Sequence, residues 1–91
     1  MNKILVVDDE EMICNSIRGI LTDEGYDVKT TNSGETSLNL IDTYLPDLVL
    51  LDIWMPKMDG LDTLREIKRE WPNQGVIMMS GHGTIETAVK A

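Results

Sequence analysis

The chain has 91 residues, 42% of them hydrophobic, with 8 basic against 16 acidic side chains and a formal net charge of −8. That length allows a single domain, the hydrophobic content excludes a disordered acidic tail, and Lys and Arg this sparse exclude a module that grips nucleic acid by neutralising phosphates. No apolar run reaches the ~18 residues of a membrane span, and MNKILVVDDE turns acidic too soon for a signal peptide, so no membrane contact and a cytoplasmic location are expected.

Ile4 to Val7 is an unbroken aliphatic run rich in β-branched side chains, the pattern of a strand buried on both faces, and it ends in the acids Asp8 to Glu11. Ile13, Ile17, Ile20 and Leu21 then recur at helical spacing from about Glu11 to Glu24, with Gly25 as a C-terminal cap. Cys14 lies in that stretch; alone, it can close no intramolecular disulfide and is read as packing. A short strand over Tyr26 to Thr31 is followed by a turn, with Ser33 as the cap of a second helix whose apolar face is Leu38, Ile41 and Tyr44. Pro46 pushes the residue before it out of the helical region, which sets a boundary at Leu45.

The pattern of the first strand repeats at Leu48 to Leu51, closed by Asp52 and a loop containing Pro56, Asp59 and Gly60. Leu61, Leu64, Ile67 and Trp71 space a third helix, stopped at Pro72, and Val76 to Met79 is a fourth strand. After Ser80, Gly81, His82 and Gly83, Thr84 is a candidate cap for a fourth helix carrying Ile85, Ala88 and Val89. Met55, Met58, Met78 and Met79 are read as packing and not as a soft-metal site. Strands alternating with helices imply an α/β, doubly wound parallel sheet, which places ligands beyond the carboxyl ends of the strands.

At those ends stand Asp8 and Asp9, then Asp52, then Ser80. An isolated acidic pair is usually a solvated turn, and an Asp after a strand is commonly a turn former or a cap. Three carboxylates at one end of adjacent strands are different, because like charges so close raise one another's pKa or demand a cation. Mg²⁺ suits them, as a hard ion held by one or two carboxylates together with phosphate oxygens. An aspartate beside such an ion can attack phosphorus, and Asp52 is the best placed to do so, with Ser80 donating to a phosphoryl oxygen. Asp8 and Asp9 would hold the metal, joined by Asp52 and the backbone carbonyl of Trp54. Glu10 and Glu11 read as a solvated helix start.

ILVVDDEE at Ile4 to Glu11, LVLLDIWMPKMDG at Leu48 to Gly60 and IMMSG at Ile77 to Gly81 closely resemble, in order and spacing, the receiver domain of bacterial two-component response regulators. The resemblance covers the whole chain. It implies a flavodoxin-like sheet ordered 2-1-3-4-5, Mg²⁺ at Asp8, Asp9, Asp52 and the Trp54 carbonyl, phosphorylation of Asp52 by a sensor histidine kinase, and Ser80 as the switch hydroxyl. In that family the positions of Trp54 and His82 flank the path of the water that hydrolyses the acyl phosphate, where their bulk would slow it. The alternatives are that both are ordinary loop residues or that His82 orients the water, and Gly81 both leaves room beside Ser80 and serves the turn. SGHGTIETAVKA looks more particularly like receivers attached to AAA+ transcription activators that work with the alternative sigma factor.

A complete receiver continues to a fifth strand and fifth helix bearing a Lys-Pro pair. Residues 1–91 are therefore expected to form a receiver in the order 2-1-3-4, ending within the fourth helix, with the output domain absent. Lys90 cannot stand in for the family's lysine, so impaired phosphorylation or signalling is expected of residues 1–91. On that expectation the fourth strand is left as an open edge and the first and fourth helices lose a cover, which invites a homodimer or an exchange of elements between chains. The expected function is a phosphorylation switch controlling an output such as transcription, and not a turnover enzyme. Two other classes compete with it. A haloacid dehalogenase-like phosphohydrolase would need a second acid two residues after Asp52, where Trp54 stands. An interaction module without phosphorylation would leave a carboxylate cluster that only destabilises the fold.

Overall fold

The computed structural model describes residues 2–52 and 60–79 and the backbone of 85–87. Along the chain run β1 (Lys3–Val7), α1 (Glu11–Asp23), β2 (Asp27–Thr31), α2 (Gly34–Tyr44), β3 (Leu48–Asp52), α3 (Gly60–Glu70), β4 (Gly75–Met79) and β5 (Ile85–Thr87). They build a sheet in the order β2-β1-β3-β4-β5. The first four strands are parallel, with Ile4 opposite both Val28 and Leu48, and Leu50 opposite Ile77. The expected flavodoxin-like order 2-1-3-4 is therefore present.

Alternation along the aliphatic strands feeds two cores. Leu5, Val7, Val49, Leu51, Val76 and Met78 point to one face, where Ile41 of α2 and Ile67 of α3 join them. Ile4, Val6, Leu50 and Met79 point to the other, against Cys14 with Ile17 and Leu21 of α1. Burial on both faces is what the continuous apolar runs require. Burying one such Leu or Ile side chain contributes about 1.5–3 kcal/mol, and Leu5, Ile41, Leu51 and Ile67 are all fully enclosed.

The helix ends follow local chemistry. The Ser33 side chain accepts from the Thr36 amide at 3.3 Å and caps α2, while Gly25 takes φ of 98° just past α1. Leu45 ends α2 with φ of 56°, a left-handed conformation rare for a residue with a side chain. Pro46 denies it the helical region, and the chain must reverse sharply into β3.

Four expectations are corrected. The segment that opens at Ile85 is not helical: Ile85–Thr87 pairs antiparallel with β4, Met78 opposite Glu86. The β4 edge offers a row of unpaired backbone groups, which residues 85–87 satisfy. For the same reason β4 is not an open edge at residues 77–79. In α3, Leu61 is 53% exposed, and Thr63 takes the enclosed position one turn before Ile67. On α1 the apolar set divides, Ile17 and Leu21 facing the core while Ile13 and Ile20 stay exposed, Ile20 at 64%.

Candidate functional site

β1 and β3 are neighbours in register, Val7 opposite Leu51, so the residues that follow in each strand emerge side by side at the carboxyl end of the sheet. Those residues are Asp8 and Asp52. The Asp8 amide extends the ladder by donating to the Thr31 carbonyl at 3.0 Å, and Asp52 is itself the last residue of β3, opposite Met79. Asp8 and Asp52 are buried and Asp9 is exposed, yet each offers a carboxylate oxygen within 4.8 Å of the other two. The sequence placed these three acids together, and the structure brings them together.

Electrostatics make this a strained cluster. Burial pushes the Asp8 carboxyl above its ordinary value; the Glu10 amide, donating to Asp8 Oδ1 at 2.8 Å, works against that shift, and the charge of Asp9 adds to it. A hydrogen bond between the Asp8 and Asp52 carboxyls also eases the ionised form of Asp8. Among the described residues the salt bridges lie on α3 and involve neither Asp8 nor Asp9. Hard oxygen donors, two of them buried, with one exposed carboxylate at the mouth, form a donor set that fits a divalent cation and Mg²⁺ in particular.

Cys14 is buried as expected, and burial followed by the charge of Asp8 pushes its thiol up, which keeps it from reacting as a thiolate. Sequence reasoning missed its hydrogen bond, Sγ donating to the Asp8 carbonyl at 3.3 Å. Spacing puts Cys14 on the inward face of α1 with Ile17 and Leu21, but it does not show that the thiol reaches back to the Asp8 carbonyl. Glu10 and Glu11 are exposed, as a solvated helix start should be. Trp54, Ser80, Gly81 and His82, with Met55, Met58, Pro56 and Asp59, lie outside the described residues. No described helix is long and apolar enough to cross a membrane.

Known proteins place this arrangement. Residues 4–91 match the family described as response regulator receiver domain. The nitrogen assimilation regulatory protein NtrX of Azorhizobium caulinodans is 49% identical over 90 residues, covering 97% of this chain and 20% of that protein. The transcriptional regulatory protein ZraR of Escherichia coli strain K12 is 42% identical over 88 residues, again 97% of this chain and 20% of that one. This chain thus spans about one fifth of the curated relatives it matches. Among solved structures, the response regulator protein TrrA of Thermotoga maritima in complex with Mg(2+)-BeF superposes with a TM-score of 0.85 at 37% identity, covering 90% of this chain and 73% of that one. A sheet in the receiver order, three acids gathered at its carboxyl end and a family match across nearly every residue lead to one assignment: the chain belongs to the response regulator receiver domain family.

Proposed function

We propose that the chain is the phosphorylation-controlled switch of a two-component system, in which Asp52 accepts a phosphoryl group from a sensor histidine kinase. The observation that carries this reading is the meeting of Asp8, Asp9 and Asp52 within 4.8 Å at the end of two adjacent parallel strands. The Mg(2+)-BeF complex of the Thermotoga relative supports it.

An oxygen of the Asp52 carboxylate attacks phosphorus, the bond from phosphorus to the donor's imidazole nitrogen breaks, and that nitrogen keeps the electron pair and takes a proton. The product is an acyl phosphate. Mg²⁺ held by Asp8, Asp9, Asp52 and the Trp54 carbonyl would offset the charge of the transferring group. Asp8, fixed by its amide and by Glu10, holds its place, while exposed Asp9 adjusts. Ser80 donates to a phosphoryl oxygen, Gly81 leaves room beside it, and Trp54 and His82 shield the acyl phosphate from water. The change in charge then shifts the population of conformations that an output region reads.

The output belongs to a part of the protein beyond this chain, and the name of the ZraR relative favours transcription control. A cytoplasmic location is part of the same reading. The unit acts as a switch and not as a turnover enzyme. It binds neither nucleic acid nor membrane directly, in keeping with a net charge of −8. Exposed Met12 and Ile20 on α1 support contact with a second copy, which light scattering at rising concentration reads directly.

Incubation with Mg²⁺ and acetyl phosphate or a histidine kinase, followed by intact mass, tests the assignment. One phosphoryl increment, absent in Asp52→Asn and absent without Mg²⁺, is the expected result. No increment with both donors, in this chain and in a longer chain that carries the family's lysine, overturns it, as does an Asp52→Asn variant that still gains the mass. Uptake in the longer chain alone assigns the loss to the lysine.

A further inference from the structure

Asp8 is gripped at three points, by β2, by the residue that caps α1 and by a side chain of α1 itself. Its amide donates to the Thr31 carbonyl of β2 at 3.0 Å, its Oδ1 accepts from the Glu10 amide at 2.8 Å, and its carbonyl accepts from the Cys14 thiol at 3.3 Å. The first two grips use backbone donors that almost any sequence would supply. The third depends on one side chain, carried on the inward face of α1 and only 5% exposed.

The carbonyl that Cys14 holds belongs to the peptide bond joining Asp8 to Asp9. That unit is planar and rigid, and with the Asp8 amide anchored to Thr31, the direction of this carbonyl fixes ψ of Asp8 and so where Asp9 stands relative to Asp8. We propose that Cys14 is a positioning residue of the cation site: its thiol holds the Asp8 carbonyl and thereby sets where Asp9 stands relative to Asp8 and Asp52. The inference rests on the cation-binding reading given above. Cys14 touches neither the cation nor phosphorus and acts through the peptide alone. Without the thiol, a buried carbonyl loses its donor and the plane turns to find another, which an apolar replacement of similar size cannot prevent. Groups that orient metal ligands from outside the ligand set typically change affinity by about 10–100-fold, and a thiol, as a weak donor, belongs at the lower end.

Calorimetric titration of Mg²⁺ into the wild-type chain and into Cys14→Ala, Cys14→Val and Cys14→Ser, paired with metal-free thermal melts, tests this. Ala and Val are expected to weaken Mg²⁺ binding by about tenfold. Serine, whose hydroxyl can donate to the same carbonyl, should keep most of the affinity even if its melting temperature is the lowest of the set. A packing role alone predicts that affinity tracks melting temperature and not the presence of a donor. Valine, nearly the size of cysteine, supplies the comparison should alanine fail to melt cooperatively. Unchanged affinity in Ala or Val, or equal losses in Ser and Ala, overturns the positioning role while leaving the site intact. A wild-type chain that binds no Mg²⁺ overturns the site reading and this inference together.

Discussion

The two ends of the sheet are made by the same strands and obey opposite electrostatic rules. At the amino end of β1 and β3, the Lys3 amide donates to Asp47 Oδ2 at 2.8 Å, Lys3 Nζ donates to the Tyr44 carbonyl, and the Tyr44 hydroxyl donates to the Asp27 carbonyl at 3.0 Å. The Lys3 and Lys29 ammonium groups stand 5.3 and 5.5 Å from the centre of the Tyr44 ring. Both ammonium groups in that cluster have a π-face beside them, and the Asp47 carboxylate accepts from a backbone amide. At the carboxyl end three acids crowd together, two of them buried. One end is built to stay folded and the other to receive a cation, and the contrast locates function where local consistency is broken.

The sharpest way to break that contrast is to remove an acid. Asp9→Asn or Asp52→Asn should lower Mg²⁺ affinity by at least about tenfold to a hundredfold in calorimetry, whereas Asp47→Ala should leave it unchanged. Equal effects at both ends would dissolve the distinction. The next largest effect lies at the amino end: Tyr44→Ala removes a hydrogen bond and two cation–π contacts, a loss of about 1–2 kcal/mol in denaturant titration with no change in Mg²⁺ affinity.

The carboxyl end should respond with the opposite sign. A folded-state pKa above the ordinary 3.8 means that Asp8 contributes its stability fully below that pH and loses it as the pH rises through the shifted value. Metal-free Asp8→Asn is therefore expected to melt higher than the wild type at pH 7, on the order of 1 kcal/mol or roughly 4–8 °C for a domain of this size, and the gap should close near pH 4. Mg²⁺ stabilises the wild type by binding the folded state and should reverse the order. The smallest effect is spectroscopic. Burial, reinforced by the charge of Asp27, pushes the Tyr44 phenol up to about 12, so its contribution is complete below the ordinary 10 and fades only as the pH climbs through that higher value. Ultraviolet titration, with Tyr44→Phe as the reference, should show one tyrosine ionising that late.

Much of this was legible in the sequence because periodicity and punctuation agreed. Unbroken aliphatic runs at Ile4 to Val7 and Leu48 to Leu51 could only be strands covered on both faces, and an acid after each run fixed the site once the strands were neighbours. Ser33 and Gly25 marked helix ends by side-chain and backbone chemistry that needs no tertiary context. The misses were tertiary. Ile85 carries a helical pattern, yet a strand edge with open hydrogen bonds decided its conformation. Leu61 fits the spacing of α3, but in its first turn it lies beyond the sheet's cover, and Thr63 is enclosed instead. Cys14 was read correctly as buried, but a thiol reaching back to a carbonyl six residues earlier depends on how α1 docks, which no linear pattern encodes.

Leu45 holds the rarest backbone angle among non-glycine residues described here, with its side chain 66% exposed and its amide bonded to the Ile41 carbonyl at 3.2 Å. A left-handed leucine costs roughly 1–2 kcal/mol relative to a residue at ease in that conformation, and glycine or asparagine would recover part of it. The position precedes β3, at the opposite end of that strand from Asp52. Ruggedness can therefore be engineered there without disturbing the chemistry, giving biophysical work a sturdier parent in which acid-cluster variants can be compared on equal footing.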